Sequence, residues 1–385
     1  MKTQRHSGGF TLVEVLVSAG IVVVLMIVLL GMTDQTQRLV KATSSKVEQF
    51  QEARVAFEAM TRRLSQATLN SFWDYQYDQN GNPNGYTRKS ELRFHSGPMR
   101  TLNSAGGPLN SPQPGHGVFF QAPLGMVSDT ANLGAMDHLM NTWGYFLEIG
   151  SDADKFPTFL SNVVNPRKRY RLMELMEPAE KLSVYKNQND INNRLWFSQS
   201  ISSNSTTSPR PVRVLAENVV ALIILPRLSL ADEKRINSDP TKPPVLAPGY
   251  NYDSTLTPPA SQNPSSPPTL TQTLLNSKNQ LPPVVQVIMV AIDEPSARRL
   301  EDLYGPNGTN DPYLGIGTNP DPLYKESLFT DPSKLNDSST GTAGDLTKLT
   351  LMLSSSKTPN IRASYRVFSS NVNIKGAKWS LHTSN

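Results

Sequence analysis

No cysteine occurs in the 385 residues, so disulfides, thiolate catalysis and cysteine-ligated metals are excluded together. Charge of one sign is scarce as well. Lys plus Arg number 37 against 32 Asp plus Glu, a surplus of 5, which is too dilute to form a nucleic-acid stripe. The five histidines, His6, His95, His116, His138 and His382, never fall at a spacing that puts two metal ligands on one helix face. There is no G-x-S-x-G elbow, no P-loop and no G-x-G-x-x-G after a strand, and Gly315-Ile316-Gly317 lies in proline-rich turn text. Carboxylate pairs such as Asp152 and Asp154 read as solvated turn residues. Neither an enzyme nor a zinc centre is therefore expected. Long apolar runs are missing except for one at the amino terminus, which excludes a polytopic membrane protein. What is plentiful is proline and glycine, 30 and 23 residues beside 37% hydrophobic content, the composition of a globular chain with long irregular loops.

The single apolar run extends from Leu12 to Met32 and is broken in polarity only by Glu14 and Ser18. Its 21 residues make a helix of about 32 Å at roughly 1.5 Å per residue, enough to cross a bilayer core of about 30 Å. Lys2 and Arg5 precede it and no A-x-A site follows it, so it reads as a retained anchor with a cytoplasmic leader and an extracytoplasmic chain beyond Asp34. Glu14 is the anomaly, because a carboxylate in a membrane helix costs about 2.5 kcal/mol or more unless something meets it.

The residues Gly9-Phe10-Thr11-Leu12-Val13-Glu14 resemble the signal of the type IV pilin and type II secretion pseudopilin superfamily. That resemblance implies cleavage by prepilin peptidase between Gly9 and Phe10 and N-methylation of Phe10. It also implies that Glu14 pairs with the Phe10 amino group of a neighbouring subunit during assembly. The implied partners are the peptidase, other pilin or pseudopilin subunits and an inner-membrane assembly platform; no cofactor and no nucleic acid are expected. The expected layout is a leader at 1–9, an anchor helix at 10–32, an amphipathic extension at 33–70 and a periplasmic domain at 71–385, in which the aperiodic, proline-rich composition of 236–283 and 305–344 reads as irregular loops. Gly20 and Gly31 are the soft points of the helix.

Residues 33–70 contain no proline or glycine. Val47, Phe50, Arg54, Phe57, Thr61, Leu64 and Thr68 mark a helical stripe, with Ala53, Met60 and Ala67 beside it, expected to pack on the protein's own sheet. Beyond Asn70, strands are expected at 91–95, 118–122, 144–149, 170–176, 195–198, 219–225, 284–292 and 361–369, and helices at 295–304 and 345–353. The fold class is α+β, a long amino-terminal helix on an antiparallel sheet. Phe72, Trp73, Tyr75 and Tyr77 are expected to form a lid over the helix end, with an exposed subunit contact as the alternative. Asp78, Asn80 and Asn82 carry an oxygen spacing suited to calcium, but Pro83 replaces the glycine such a loop needs and Lys89 stands where its last carboxylate belongs, so a tight turn is the expected reading.

The segments Val214–Leu222 and Leu281–Val287 resemble the paired strands of minor pseudopilin J, as do Arg62, Leu64 and Ala67 at the helix end. The tail, with Tyr365–Phe368 and Lys375–Trp379, is similar to the Verru_Chthon cassette protein C group. These resemblances imply a low-copy, tip-located structural subunit, the alternative being a membrane-tethered binding or adhesion module.

Overall fold

The computed structural model describes residues 11–102, 115–136, 138–151, 167–186, 194–202, 210–236, 246–256, 277–304, 328–336, 343–354 and 362–379. The chain divides into two compact units, Met1–Gln51 and Glu52–Asn385. The first consists, over its described part, of the opening of helix α1 (Leu12–Leu64). Neither Gly20 nor Gly31 interrupts it, and neither has a neighbour within 4 Å of where a Cβ would stand. Leu12–Gln37 is long and apolar enough to cross a membrane once, and none of its strongly apolar window is buried.

In the second unit all strands pair antiparallel. A six-stranded sheet has the order β7 (Val212–Glu217), β6 (Lys168–Glu177), β5 (Met140–Ser151), β4 (His116–Pro123), β3 (His95–Pro98), β9 (Tyr252–Asp253). A three-stranded sheet has the order β11 (Tyr365–Asn373), β10 (Val284–Ile292), β8 (Val219–Arg227), and a separate hairpin pairs β1 (Phe72–Tyr77) with β2 (Pro83–Lys89). Strand β8 touches β3, β4, β5 and β6, so it crosses the larger sheet and does not run along one strand. It is buried at every residue but the last, which explains why it reads as a continuous apolar run.

One face of the six-stranded sheet carries Phe119, Phe146, Met173 and Leu175, which pack with Trp196, Phe197 and Ile201 of the helix Leu195–Ser202. Phe119 and Phe197 stack with ring centroids 4.1 Å apart. The expectation of a strand at 195–198 is corrected here. Trp196 and Phe197 are neighbours and both are fully buried, which a helix can arrange against one sheet face but a strand with a single buried side cannot.

Strands β7 and β8 are consecutive in the chain yet lie in different sheets, and Asn218 turns the corner with φ 60°. Its N–H donates to the Tyr170 carbonyl at 2.7 Å and its carbonyl accepts the Ile292 N–H at 3.0 Å, so the backbone of one residue is bonded to both sheets. Its side-chain amide donates to Glu294 at 3.0 Å. Glu294 opens the helix Glu294–Tyr304 and also receives Arg169 at 3.0 Å. Burial pushes the Glu294 carboxyl up, but the hydrogen bonds from Arg169 and Asn218 and the Arg169 charge outweigh it and hold the group below the usual carboxylate range.

Helix α1 stops at Leu64, short of the expected Asn70. The Ala67 N–H bonds the Leu64 carbonyl in a tightened last turn, and the Thr68 N–H donates to Gln121 of β4 at 2.9 Å, which turns the chain out of the helix. The buried stripe is Ala53, Phe57, Met60, Leu64 and Ala67, while Arg54 is exposed. Within the stretch expected to be a loop at 236–283, Tyr250 and Tyr252 are buried, and the Ser254 N–H donates to the Phe94 carbonyl at 3.0 Å.

His116 joins three elements inside this core. Its Nδ1 accepts the Ile224 N–H of β8 at 3.2 Å, and its Nε2 lies 3.4 Å from the Phe329 carbonyl, which places the ring proton on Nε2. Burial lowers its pKa from 6.5 to about 4, opposed by its hydrogen bonds to Ile224 and Phe329. Because the unfolded chain binds this proton at higher pH than the native one, the His116 contribution is complete above pH 6.5 and is lost as pH falls towards 4. Urea denaturation is expected to show a loss of about 3 kcal/mol over that window. His116→Gln should be less stable at pH 7 and lack most of that acid-side loss.

Candidate functional site

The functional reading concentrates on the two ends of α1. At the amino-terminal end Thr11 is the residue before the first helical turn. Its Oγ1 accepts the Glu14 N–H at 3.3 Å, while Glu14 Oε2 accepts both the Thr11 N–H and the Thr11 hydroxyl at 3.2 Å. This is a reciprocal capping box. Glu14 therefore has a partner within its own chain. Gly9 and Phe10, the expected cleavage and methylation residues, lie outside the described residues.

At the other end of α1, in the folded unit, Arg63 meets Glu174 of β6. Glu174 is fully buried. Its Oε1 accepts from Arg63 Nη1, from Trp143 Nε1 at 2.8 Å and from the Tyr145 hydroxyl at 2.9 Å. Its Oε2 accepts from Arg213 Nε at 2.6 Å and Nη2 at 2.5 Å. The Arg63 guanidinium also lies 4.8 Å from the Trp143 ring centroid. One carboxylate thus collects two arginines and two neutral donors, which ties the helix end to β5, β6 and β7. Burial, and then the Glu174 charge, raises the Tyr145 phenol well above its ordinary value, so Tyr145 stays a neutral donor.

Residues 4–30 match the family described as the prokaryotic N-terminal methylation motif. The chain carries a prepilin-type signal. No curated protein and no solved structure matches the chain. The motif ends inside the first, exposed part of α1, so it covers the signal and anchor and says nothing of the β-rich unit. A processed protein of pilin or pseudopilin type accounts for the motif, the capped helix start and an α+β unit that includes the carboxyl end of the same helix.

The other residues singled out in the sequence go elsewhere. Phe72, Trp73, Tyr75 and Tyr77 are not a lid: they lie exposed on the β1–β2 hairpin, because the chain folds back on itself at Asp78–Asn82 and does not lie over the helix end. Asp78 Oδ1 accepts the Asn80 and Asn82 N–H groups at 2.9 and 2.8 Å, closing that turn. Among the described residues no group of three or more His, Asp or Glu side chains is placed to hold a metal ion. An open groove of about 730 Å³ is lined in part by Lys181, Lys186, Arg210 and Arg213. Arg210 is held by Glu148 through two 2.8 Å bonds and Arg213 by Glu174, so its arginines are already part of the framework.

Sequence reasoning missed the Glu174 cluster. The available signal was a carboxylate on the same strand face as Tyr170 and Leu172, opposite a helix ending in Arg62-Arg63. Arg63→Ala should leave Glu174 buried with one cation, costing about 3 kcal/mol. Glu174→Gln should cost less than the double variant with Arg63→Ala, and thermal unfolding of the three variants checks both.

Proposed function

We propose that this chain is a minor pilin or pseudopilin, a structural and noncatalytic subunit of a type II secretion-like pseudopilus or a type IV pilus. The observation that carries this reading is the methylation motif at residues 4–30 running into a capped, membrane-length helix. In this reading prepilin peptidase removes residues 1–9 and the new Phe10 amino terminus is methylated. The protein waits as a single-pass inner-membrane subunit with its β-rich unit in the periplasm. Assembly then draws the anchor into a helical filament, where Glu14 faces the Phe10 amino group of a neighbour and neutralises it.

The size of the β-rich unit, Glu52–Asn385, favours a low-copy position at the tip, since repeated packing along a shaft leaves little room for so large a unit. The likeness to minor pseudopilin J in the strand pattern points the same way. A second reading, a tethered binding module that uses the signal only for processing, is favoured by the exposed aromatic hairpin.

Mass spectrometry of the protein from cells with prepilin peptidase is expected to show a chain that begins at N-methylated Phe10, lacking the first nine residues of the sequence. Cells without the peptidase should retain the full leader. A mature chain that still begins at Met1 in the presence of the peptidase would overturn the proposal. Glu14→Ala should be cleaved at an almost unchanged rate and be recovered in sheared filaments at a level lower by about tenfold, the effect of one lost partner of about 1.4 kcal/mol. Equal recovery would remove the pairing from the mechanism.

A further inference from the structure

The large aromatic side chains of this fold are mostly buried: Trp143, Trp196, Tyr145, Tyr250 and Tyr252 are all 2% exposed or less. The β1–β2 hairpin gathers most of the exposed ones, Tyr185 lying elsewhere. Trp73 is 62%, Tyr75 48%, Tyr77 60% and Tyr86 56% exposed. The pairing Trp73↔Arg88 and Tyr75↔Tyr86 places Trp73, Tyr75 and Tyr86 on one face of the hairpin, since alternate residues share a side; the register shifts between Tyr75 and Tyr77, and Tyr77 is kept beside Tyr75 by its ring contact. The three tyrosine rings are neighbours, and Trp73 is covered by Arg88. Tyr75 and Tyr86 have centroids 4.9 Å apart, Tyr75 and Tyr77 6.4 Å, and the Arg88 guanidinium lies 5.0 Å over Trp73. The neighbouring Tyr75 side chain raises the Tyr86 phenol above its ordinary value. Asp74 and Lys89 are ion-paired at 2.5 Å on the opposite face.

This strip is built in advance. Asn70 Oδ1 accepts the Ser90 hydroxyl and the Glu91 and Leu92 N–H groups at 3.0 to 3.1 Å, and Asn279 donates to the Arg88 carbonyl at 2.5 Å. These bonds clamp the base of the hairpin, and the Asp78 bonds close its tip. A two-stranded hairpin alone is marginal in water, so the clamps hold a surface whose rings would otherwise turn inward or collapse.

The composition selects the partner. The segment Phe72–Lys89 contains no Leu, Ile, Val or Met, so it lacks the aliphatic side chains that carry most lipid insertion; Trp, Tyr and Arg also serve at protein interfaces, so association with a second copy is an outcome the test separates. Its charges are Asp74, Asp78, Arg88 and Lys89, which sum to zero, whereas a nucleic-acid strand needs a surplus of cations for its phosphates. Electron-rich ring faces edged by hydroxyl and indole N–H groups are complementary to sugar rings, whose C–H bonds face the π systems and whose hydroxyls meet the edges. Successive rings are tilted by 34° and 51°, so the strip is twisted and suits a single flexible chain better than a flat crystalline surface.

We propose that the Trp73–Tyr75–Tyr77–Tyr86 face of the β1–β2 hairpin binds a neutral polysaccharide chain. This holds for either reading of the anchor, and its test is separate from processing or assembly. The full chain in detergent micelles is run on native gels containing hydroxyethyl cellulose, laminarin, galactomannan or dextran, beside a protein that binds none of them. Retardation is expected with at least one, and Trp73→Ala and Tyr75→Ala should weaken it by about tenfold. Gln76→Ala, on the opposite face, should bind as the unaltered chain does. Because alanine variants can disturb the hairpin, Tyr75→Phe with Tyr86→Phe is run alongside; it keeps the rings and should bind within about threefold. No retardation with any polysaccharide, or undiminished retardation of Trp73→Ala and Tyr75→Ala, overturns the proposal. So does hairpin-dependent binding of poly(dT), phosphatidylglycerol vesicles or a second copy of the chain in place of the glycans.

Discussion

Glu174 lies on a sheet face where water does not reach, and a carboxylate there is tolerable only if all its lone pairs are directed at donors. The cluster around it meets that condition with four donor residues from three elements: Arg63 from helix α1, Trp143 and Tyr145 from β5, and Arg213 from β7. Apolar contacts of Phe57, Met60 and Leu64 supply most of the favourable burial for the same helix. Apolar packing alone tolerates sliding by a turn. A carboxylate with fixed donors does not, and this charge cluster sets the register in which α1 ends against the sheet.

The second constraint is the corner at Asn218. Two sheets that cross need a chain passing from one to the other without leaving backbone groups unpaired. Asn218 does this with a left-handed backbone that gives its N–H to β6 and its carbonyl to β10. Asparagine tolerates that conformation better than branched residues do, and its side chain adds a bond to Glu294. Arg169, nearly inaccessible to water, completes the corner by pairing with Glu294 and Glu301. The helix Glu294–Tyr304 is thereby held where β10 ends.

Elements whose signal is local were legible. Strand β10 occupies Val284–Ile292, the expected span, because a run of β-branched and apolar residues sits between prolines and a helix-opening acid. The helices at 294–304 and 345–354 were legible from their acidic starts. The methylation signal was legible because it is a contiguous pattern. Elements fixed only by tertiary contacts were not legible. Leu195–Ser198 is too short a window to show a period, and only the neighbouring sheet decides that Trp196 and Phe197 are helical. The β1–β2 hairpin was hidden because its aromatics suggested burial, while the Asn70 and Asn279 clamps that keep them exposed come from distant positions. The Glu174 cluster joins residues 111 and 39 positions apart, and no spacing rule reaches that far.

The capping box at Thr11 and Glu14 bears on how long a solitary molecule can persist. Hydrogen bonds exchanged between Thr11 and Glu14 lower the cost of holding that acid in a lone helix without cancelling its charge. In the proposed assembly, unassembled copies would accumulate as a standing reserve, and the tempo of fibre growth would be governed by the machinery that withdraws them, not by the instability of the stock.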